Sequence, residues 1–153
     1  EPIENGGDRL TGGRARYRLY SASDGRQVAV GALEQKFWDA FCNVIDLPRD
    51  LRDDLADPAA TKAEVARRIV VKPSAHWAPL LEAADCCCTI VKTPAEAAAD
   101  PHFTARDTFG RVVSVGGEQV PALPLPIAPE FRGAVADSRA APDLGEQNAE
   151  FGL

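Results

Sequence analysis

The chain has 153 residues and a mass of 16.3 kDa, roughly one domain's worth of polypeptide, which excludes two full catalytic domains. Its 45% hydrophobic and 26% charged residues exclude a mostly disordered chain, while 12 Gly and 12 Pro predict long irregular connections. Seventeen Lys plus Arg against 23 Asp plus Glu give a formal charge of −6, which argues against a protein that tracks nucleic-acid phosphates but leaves room for a local basic spot that takes an anionic ligand.

In chain order, Arg16 to Tyr20 and Gln27 to Val30 read as two strands around Asp24-Gly25, a pair suited to the positive φ of a tight turn. A β-hairpin is expected. Phe37, Trp38, Phe41, Cys42 and Ile45 then recur at helical spacing, so a helix begins near Glu34, with that carboxylate in its first turn. Arg49 to Asp54 reads as a short polar helix that Asp57-Pro58 breaks, and Thr61 with Glu64 as a capping box opening a helix through Val65 and Ile69. A further helix starts at Pro73-Ser74 and shows Trp77, Leu80, Leu81 and Ala84 on one face. Cys86 to Val91 reads as a strand, and Thr93-Pro94-Ala95-Glu96 as a capped helix start. Thr108 to Val115 and Glu118 to Val120, joined by Gly116-Gly117, read as two more strands. Five prolines from Pro121 to Pro142 exclude a central strand or continuous helix there. This stretch is expected to wrap over another body, because unstructured segments of about 25 residues are uncommon within compact domains. Asp143 to Glu150 reads as a capped terminal helix. The fold class is therefore α+β.

The four cysteines are Cys42, Cys86, Cys87 and Cys88. Adjacent residues of a strand point to opposite faces, so the triplet is not a tetrahedral metal site, and His76 and His102 lie at no ligand spacing from it. No metal is expected; the triplet reads as a buried strand in a reducing compartment. No apolar run approaches the about 18 to 20 residues that span a bilayer, and the first residues lack the basic and apolar regions of a signal peptide, so a cytoplasmic location without membrane contact is expected. The absence of any Met raises the expectation that the chain is part of a longer protein.

Phosphate-cradling loops, nucleophile elbows and H-E-x-x-H are missing from the sequence. Glu34 is the first candidate: at a strand-to-helix junction after Gly31-Ala32-Leu33 it could project into a cleft as a general acid or base, or simply serve the helix dipole. His102 in Pro101-His102-Phe103 is more readily structural than catalytic, and Arg106 is a candidate anchor for a carboxylate. Arg14, Arg16 and Arg18 alternate along one face of the first strand, either solvated or facing an anion.

Gly12-Gly13 ahead of Tyr17 and Tyr20, Asp24-Gly25-Arg26, the run Val28 to Glu34, and Phe37-Trp38 together resemble the small domain of family III CoA-transferases, which include the alpha-methylacyl-CoA racemases. Trp77, Asp85, Cys88, Thr93 to Glu96, Asp100 to Phe103, Ala105-Arg106 and Leu144 to Asn148 continue the resemblance in the same order. It implies a small α+β domain over residues 1–120 and a proline-rich tail over 121–153 that returns to a Rossmann-like large domain. That large domain, absent here, would bind most of the coenzyme A and come from a missing N-terminal part or a second polypeptide. The complete subunits would form an interlocked homodimer.

The resemblance further implies a coenzyme A thioester as substrate and no covalently bound cofactor. Glu34 would be one catalytic acid/base of a racemase, with Tyr17 and Leu33 against the acyl chain. A CoA transferase with its aspartate nucleophile in the absent part, and a non-catalytic dimerisation or scaffold piece, are the alternatives.

Overall fold

The computed structural model describes residues 6–122, 127–131 and 139–152. Asp24-Gly25, with Gly25 at φ 79°, turns the chain between β1 (Tyr17–Ser21) and β2 (Gln27–Gly31), which pair antiparallel with Tyr17 opposite Gly31 and Leu19 opposite Ala29. β3 (Cys88–Ile90) joins the other side of β2, also antiparallel, giving a three-stranded sheet in the order β1-β2-β3. The two-residue alternation of strands separates its faces. Tyr20, Val28 and Val30 are buried in the core, with Ile90 and Cys88 packed against it, while Tyr17, Leu19, Ala29 and Thr89 belong to the opposite face.

Helix α1 (Gln35–Val44) buries Trp38, Phe41 and Cys42 at the expected spacing. It begins one residue later than the pattern suggests: Glu34 is extended (φ −75°, ψ 143°) and occupies the cap position, its carbonyl accepting from the amides of Phe37 (3.1 Å) and Trp38 (3.0 Å). The polar stretch that follows is only a 3₁₀ turn at Arg49–Leu51. Helix α2 (Pro58–Ile69) starts earlier than the Thr61 capping box implies. Asp57 accepts from the Ala60 amide (2.9 Å) and Pro58 fills the first position, where its missing N–H is harmless. Thr61 is instead buried inside α2, its hydroxyl donating to the Leu51 carbonyl (3.0 Å), and Glu64 pairs with Arg67 and Arg68 (both 2.7 Å). Helix α3 (Ser74–Ala84) is capped from the hairpin, because the Asp24 carboxylate accepts from the Ser74 amide (2.9 Å) and hydroxyl (2.6 Å).

The core also has two tryptophans tied at their polar edges. Trp38 Nε1 donates to the Arg52 carbonyl (2.7 Å) and Trp77 Nε1 to the Ile69 carbonyl (3.0 Å), so both rings are buried without an orphaned N–H. The cysteine triplet departs from a continuous buried strand. Cys86 is buried, Cys87 is exposed with φ 55°, and only Cys88 enters β3. All four cysteines are free thiols.

The described residues divide into two compact units between Val91 and Lys92. In the second, α4 (Pro94–Ala98) carries the expected capping box, with Glu96 N–H on Thr93 Oγ1 (3.2 Å) and Thr93 N–H on Glu96 Oε2 (2.8 Å). α5 (Pro101–Ala105) is capped by Asp100, which is also paired with Lys92. β4 (Val112–Val115) and β5 (Glu118–Pro121) form a hairpin over Gly116-Gly117, and β6 (Arg139–Ala140) lies parallel to β4. The expected terminal helix is a run of i,i+3 turns, including Glu146 N–H to Asp143 O (3.1 Å) and Glu150 N–H to Gln147 O (3.0 Å). The expected wrapping of the proline stretch falls largely on 123–126 and 132–138, outside the described residues.

Asp54 is the one fully buried carboxylate of the described core, 1% exposed, and the Arg16 guanidinium is bonded to its Oδ1 at 2.7 and 3.0 Å. Removing one partner of such a pair strands the other charge. Asp54→Ala is expected to lower unfolding stability by about 3 kcal/mol, read as a lower urea midpoint at unchanged slope. A loss below about 1 kcal/mol would mean that the pair behaves as a solvated surface contact.

Candidate functional site

From the last residue of β2 to the cap of α1 runs a four-residue arm, Gly31 to Glu34. Its start is fixed by close backbone approach: the Gly31 amide donates to the Cys87 carbonyl (3.0 Å), and a Cβ at Gly31 would meet that oxygen at 3.2 Å. Ala32 is fully buried, and the Leu33 amide folds back on the Gly31 carbonyl (3.0 Å). Glu34 follows, exposed at the cap of α1, with no hydrogen bond or ion pair to its carboxylate among the described residues.

The residues on either side of Glu34 are both reached by Arg16. Its Nη1 donates to the Leu33 carbonyl (3.4 Å) and to Gln35 Oε1 (3.2 Å), while Nε and Nη2 donate to Asp54 Oδ1. The guanidinium stands 5.0 Å from the centre of the Trp38 ring, within cation–π range. The alternation expected for Arg14, Arg16 and Arg18 does not hold, because β1 begins at Tyr17 and the chain before it turns. Arg16 points inward, Arg14 Nη1 lies 3.7 Å from Asp54, and Arg18 Nη1 donates to the Gly12 carbonyl (2.7 Å). Two of the three cations thus serve a buried carboxylate of the chain itself.

The open face of the sheet forms a groove of about 820 Å³. Tyr17, Leu19, Ala29, Gly31 and Thr89 line it along the strands, with Cys87 at one edge and Leu10, Thr11 and Gly12 from the preceding loop. Its wall is mixed, with Leu19, Ala29 and Val30 apolar and Tyr17, Arg18 and Thr89 polar along the strands. Tyr17 and Gly31, directly paired, bring the groove to the foot of the arm. Leu33, half-buried, and Glu34 lie beyond that wall.

His102 is exposed in α5, its amide capped by Asp100 (2.8 Å), and the exposed Arg106 has no carboxylate partner among the described residues. Neither belongs to the unit that carries Glu34. No group of three or more His, Cys, Asp or Glu among the described residues is placed to hold a metal ion. Sequence reasoning passed over Asp54, which lies 38 residues from Arg16 in a polar stretch and carries no local signal. It also passed over Thr89 and Cys87 as groove residues.

Residues 1–148 match the family described as "CoA-transferase family III". The chain is 30% identical over 147 residues to the alpha-methylacyl-CoA racemase of Mus musculus and 27% identical over 151 residues to that of Homo sapiens. It spans little more than a third of these relatives, 37% and 38% of their lengths. Among solved structures it resembles Rv3272 from Mycobacterium tuberculosis, with a TM-score of 0.62 and 22% identity over 91% of this chain and 41% of that one, a likeness of fold.

The thiols differ sharply in access. Cys42 is buried and burial pushes it up to about 12, whereas Cys87 is exposed at the groove. Thiolates react and thiols do not. A maleimide pulse under native conditions, read by peptide mass spectrometry, is expected to label Cys87 at least about tenfold faster than Cys42, with Cys42 labelled only on unfolding. Equal rates would show that the α1 core opens readily.

Proposed function

The chain belongs to CoA-transferase family III, and we propose from that premise that it is the C-terminal portion of an acyl-CoA-processing enzyme of racemase type, with Glu34 as one of its acid/bases. The observation that carries this reading is a carboxylate without a partner among the described residues, on an arm where Arg16 bonds the residue on either side of it. A group that takes and returns a proton must be free to bond the reacting carbon's hydrogen, and it must also be fixed to within a fraction of an ångström.

The chemistry follows from the thioester. Its carbonyl acidifies the α-hydrogen, so a base on one face removes that proton to leave an enolate, and an acid on the other face supplies a proton with inversion. Glu34 supplies one of these groups. The second comes from the part of the enzyme that this chain does not include, a large Rossmann-like domain carried on the same polypeptide or on another. The groove along Tyr17, Leu19 and Ala29 suits the apolar acyl chain, and Leu33, on the arm that leads on from Gly31, is proposed as a further acyl contact.

Residues 1–120 act as the small domain and 121–153 as the tail that returns to the large one. The described part of the tail supports such docking: Phe131 and Phe151 are 80 and 75% exposed, and among the described residues every buried core residue lies between Ala15 and Cys86. The complete subunits work as an interlocked homodimer in the cytoplasm. Among the described residues no helix is long and apolar enough to cross a membrane.

The family's description favours one second reading, CoA transfer through an aspartyl thioester in the absent portion. Trapping that thioester with hydroxylamine in the complete assembly separates the two. For the racemase reading, the complete assembly is expected to exchange the α-proton of a 2-methylacyl-CoA in D2O, and Glu34→Gln to slow that exchange by about 10²- to 10⁴-fold. Wild-type rates in Glu34→Gln both for inversion and for exchange of either enantiomer would remove Glu34 from the mechanism.

A further inference from the structure

Among the described residues Glu34 makes no side-chain bond, so the point from which its carboxylate projects is set by the backbone on either side. That backbone has a specific holder. Asp54 Oδ1 accepts from both Nε (3.0 Å) and Nη2 (2.7 Å) of Arg16, which holds that edge of the guanidinium against the carboxylate. Nη1, the remaining nitrogen of the planar fork, is then directed at the arm, where it meets the Leu33 carbonyl (3.4 Å) just before Glu34 and the Gln35 carboxamide (3.2 Å) just after it.

Trp38 stands beside the guanidinium at 5.0 Å, and its own N–H is anchored on the Arg52 carbonyl (2.7 Å). The Arg16 side chain is 14% exposed and Asp54 1% exposed, so water hardly competes for the bonds between them. A buried ion pair is often no better for stability than an apolar replacement; its gain is a defined geometry.

We infer that Arg16 is the positioning residue of Glu34: clamped by Asp54, it holds Leu33 and Gln35 and so fixes the stretch of backbone from which the carboxylate between them projects. This rests on the reading of Glu34 as an acid/base. A lysine at position 16 would keep the charge beside Asp54, but a single ammonium point cannot grip Asp54 through two nitrogens and the arm through a third.

The test is a double-mutant cycle in the complete assembly, following α-proton exchange of a 2-methylacyl-CoA in D2O. Arg16→Lys is expected to lower kcat between about tenfold and a hundredfold at a KM within twofold of wild type. In a Glu34→Gln background the same change is expected to have no further effect, since the group being positioned is gone. A merely structural role would give equal losses in both backgrounds, and that result, or an unchanged kcat, would overturn the proposal.

If Arg16→Lys does not assemble, Gln35→Met replaces it. It cuts the Arg16 bond to Gln35, together with the Gln35 Nε2 bond to Asp39 Oδ1 (2.8 Å) within α1, and leaves the Arg16–Asp54 pair intact, and its kcat loss is likewise expected only while Glu34 is present. Amide hydrogen exchange at Phe37 and Trp38, both bonded to the Glu34 carbonyl, gives a readout independent of activity. Faster exchange there in the Arg16 variant, with Glu34→Gln found fully active, would retain the clamp and reject only the acid/base reading. Unchanged amide exchange alongside a fully inactive Glu34→Gln would reject the clamp and keep that reading.

Discussion

The pairing of Arg16 with Asp54 is the contact at which the hairpin, the arm and the loop after α1 acquire a common geometry. Asp54 enters the core from a stretch that has little regular structure of its own, a 3₁₀ turn and the bend before α2. That stretch is pinned by polar side chains: Arg52 Nε donates to the Leu47 carbonyl (2.9 Å), Arg52 Nη1 to Asn43 Oδ1 (2.7 Å), and Thr61 to the Leu51 carbonyl. Burying a carboxylate is costly, and here two nitrogens of one guanidinium on Oδ1, with Arg14 nearby, offset part of that cost, while Oδ2 is buried without a hydrogen-bond partner among the described residues. The loop supplies the anion, the residue before β1 the cation, and α1 the indole beside them.

The faces of the sheet divide the remaining work. One face, through Tyr20, Val28 and Val30, is the floor of the helical core, and Tyr20 can be buried there because its hydroxyl donates to the Ala15 carbonyl (2.8 Å). Burial raises the Tyr20 pKa, so the phenol remains a donor throughout the physiological range. The other face, among the described residues of the first unit, forms the groove. Since β2 leads from the core face and the groove straight into the arm, rigidity gained from the packing of Val28 and Val30 is passed to Glu34 within four residues.

Features written in local chemistry were legible in the sequence. Asp24-Gly25 between alternating strands, the apolar spacing of Trp38, Phe41 and Cys42, and the Thr93 to Glu96 box each specify their structure within a few residues. Ambiguity arose where two local signals competed. Asp57-Pro58 and Thr61 with Glu64 both resemble helix starts, and the choice went to Asp57 because Thr61 is drawn into the core by Leu51 and Glu64 is taken by two arginines. Contacts between distant residues left no trace at all. Nothing near Arg16 announces Asp54, and the left-handed φ of Cys87, which turns its thiol outward, arises from the junction with β3 and the bond from Gly31. Glu34 could be singled out as a candidate; what surrounds it could not.

A proton-transfer group faces two opposed demands. Hydrogen bonds to the carboxylate would fix it but would also occupy the lone pairs that must take the proton. Moving the constraint to the neighbours resolves the conflict, since Leu33 and Gln35 can be bonded without touching Glu34. On the proposed reading the same logic reaches the second acid/base, which must approach from the opposite face of the substrate. A single small domain cannot readily surround a flat enolate on both sides from one arm, so dividing the two groups between separate bodies is the simpler geometry. An arm that is rigid at its base and open at its tip is suited to meeting such a partner.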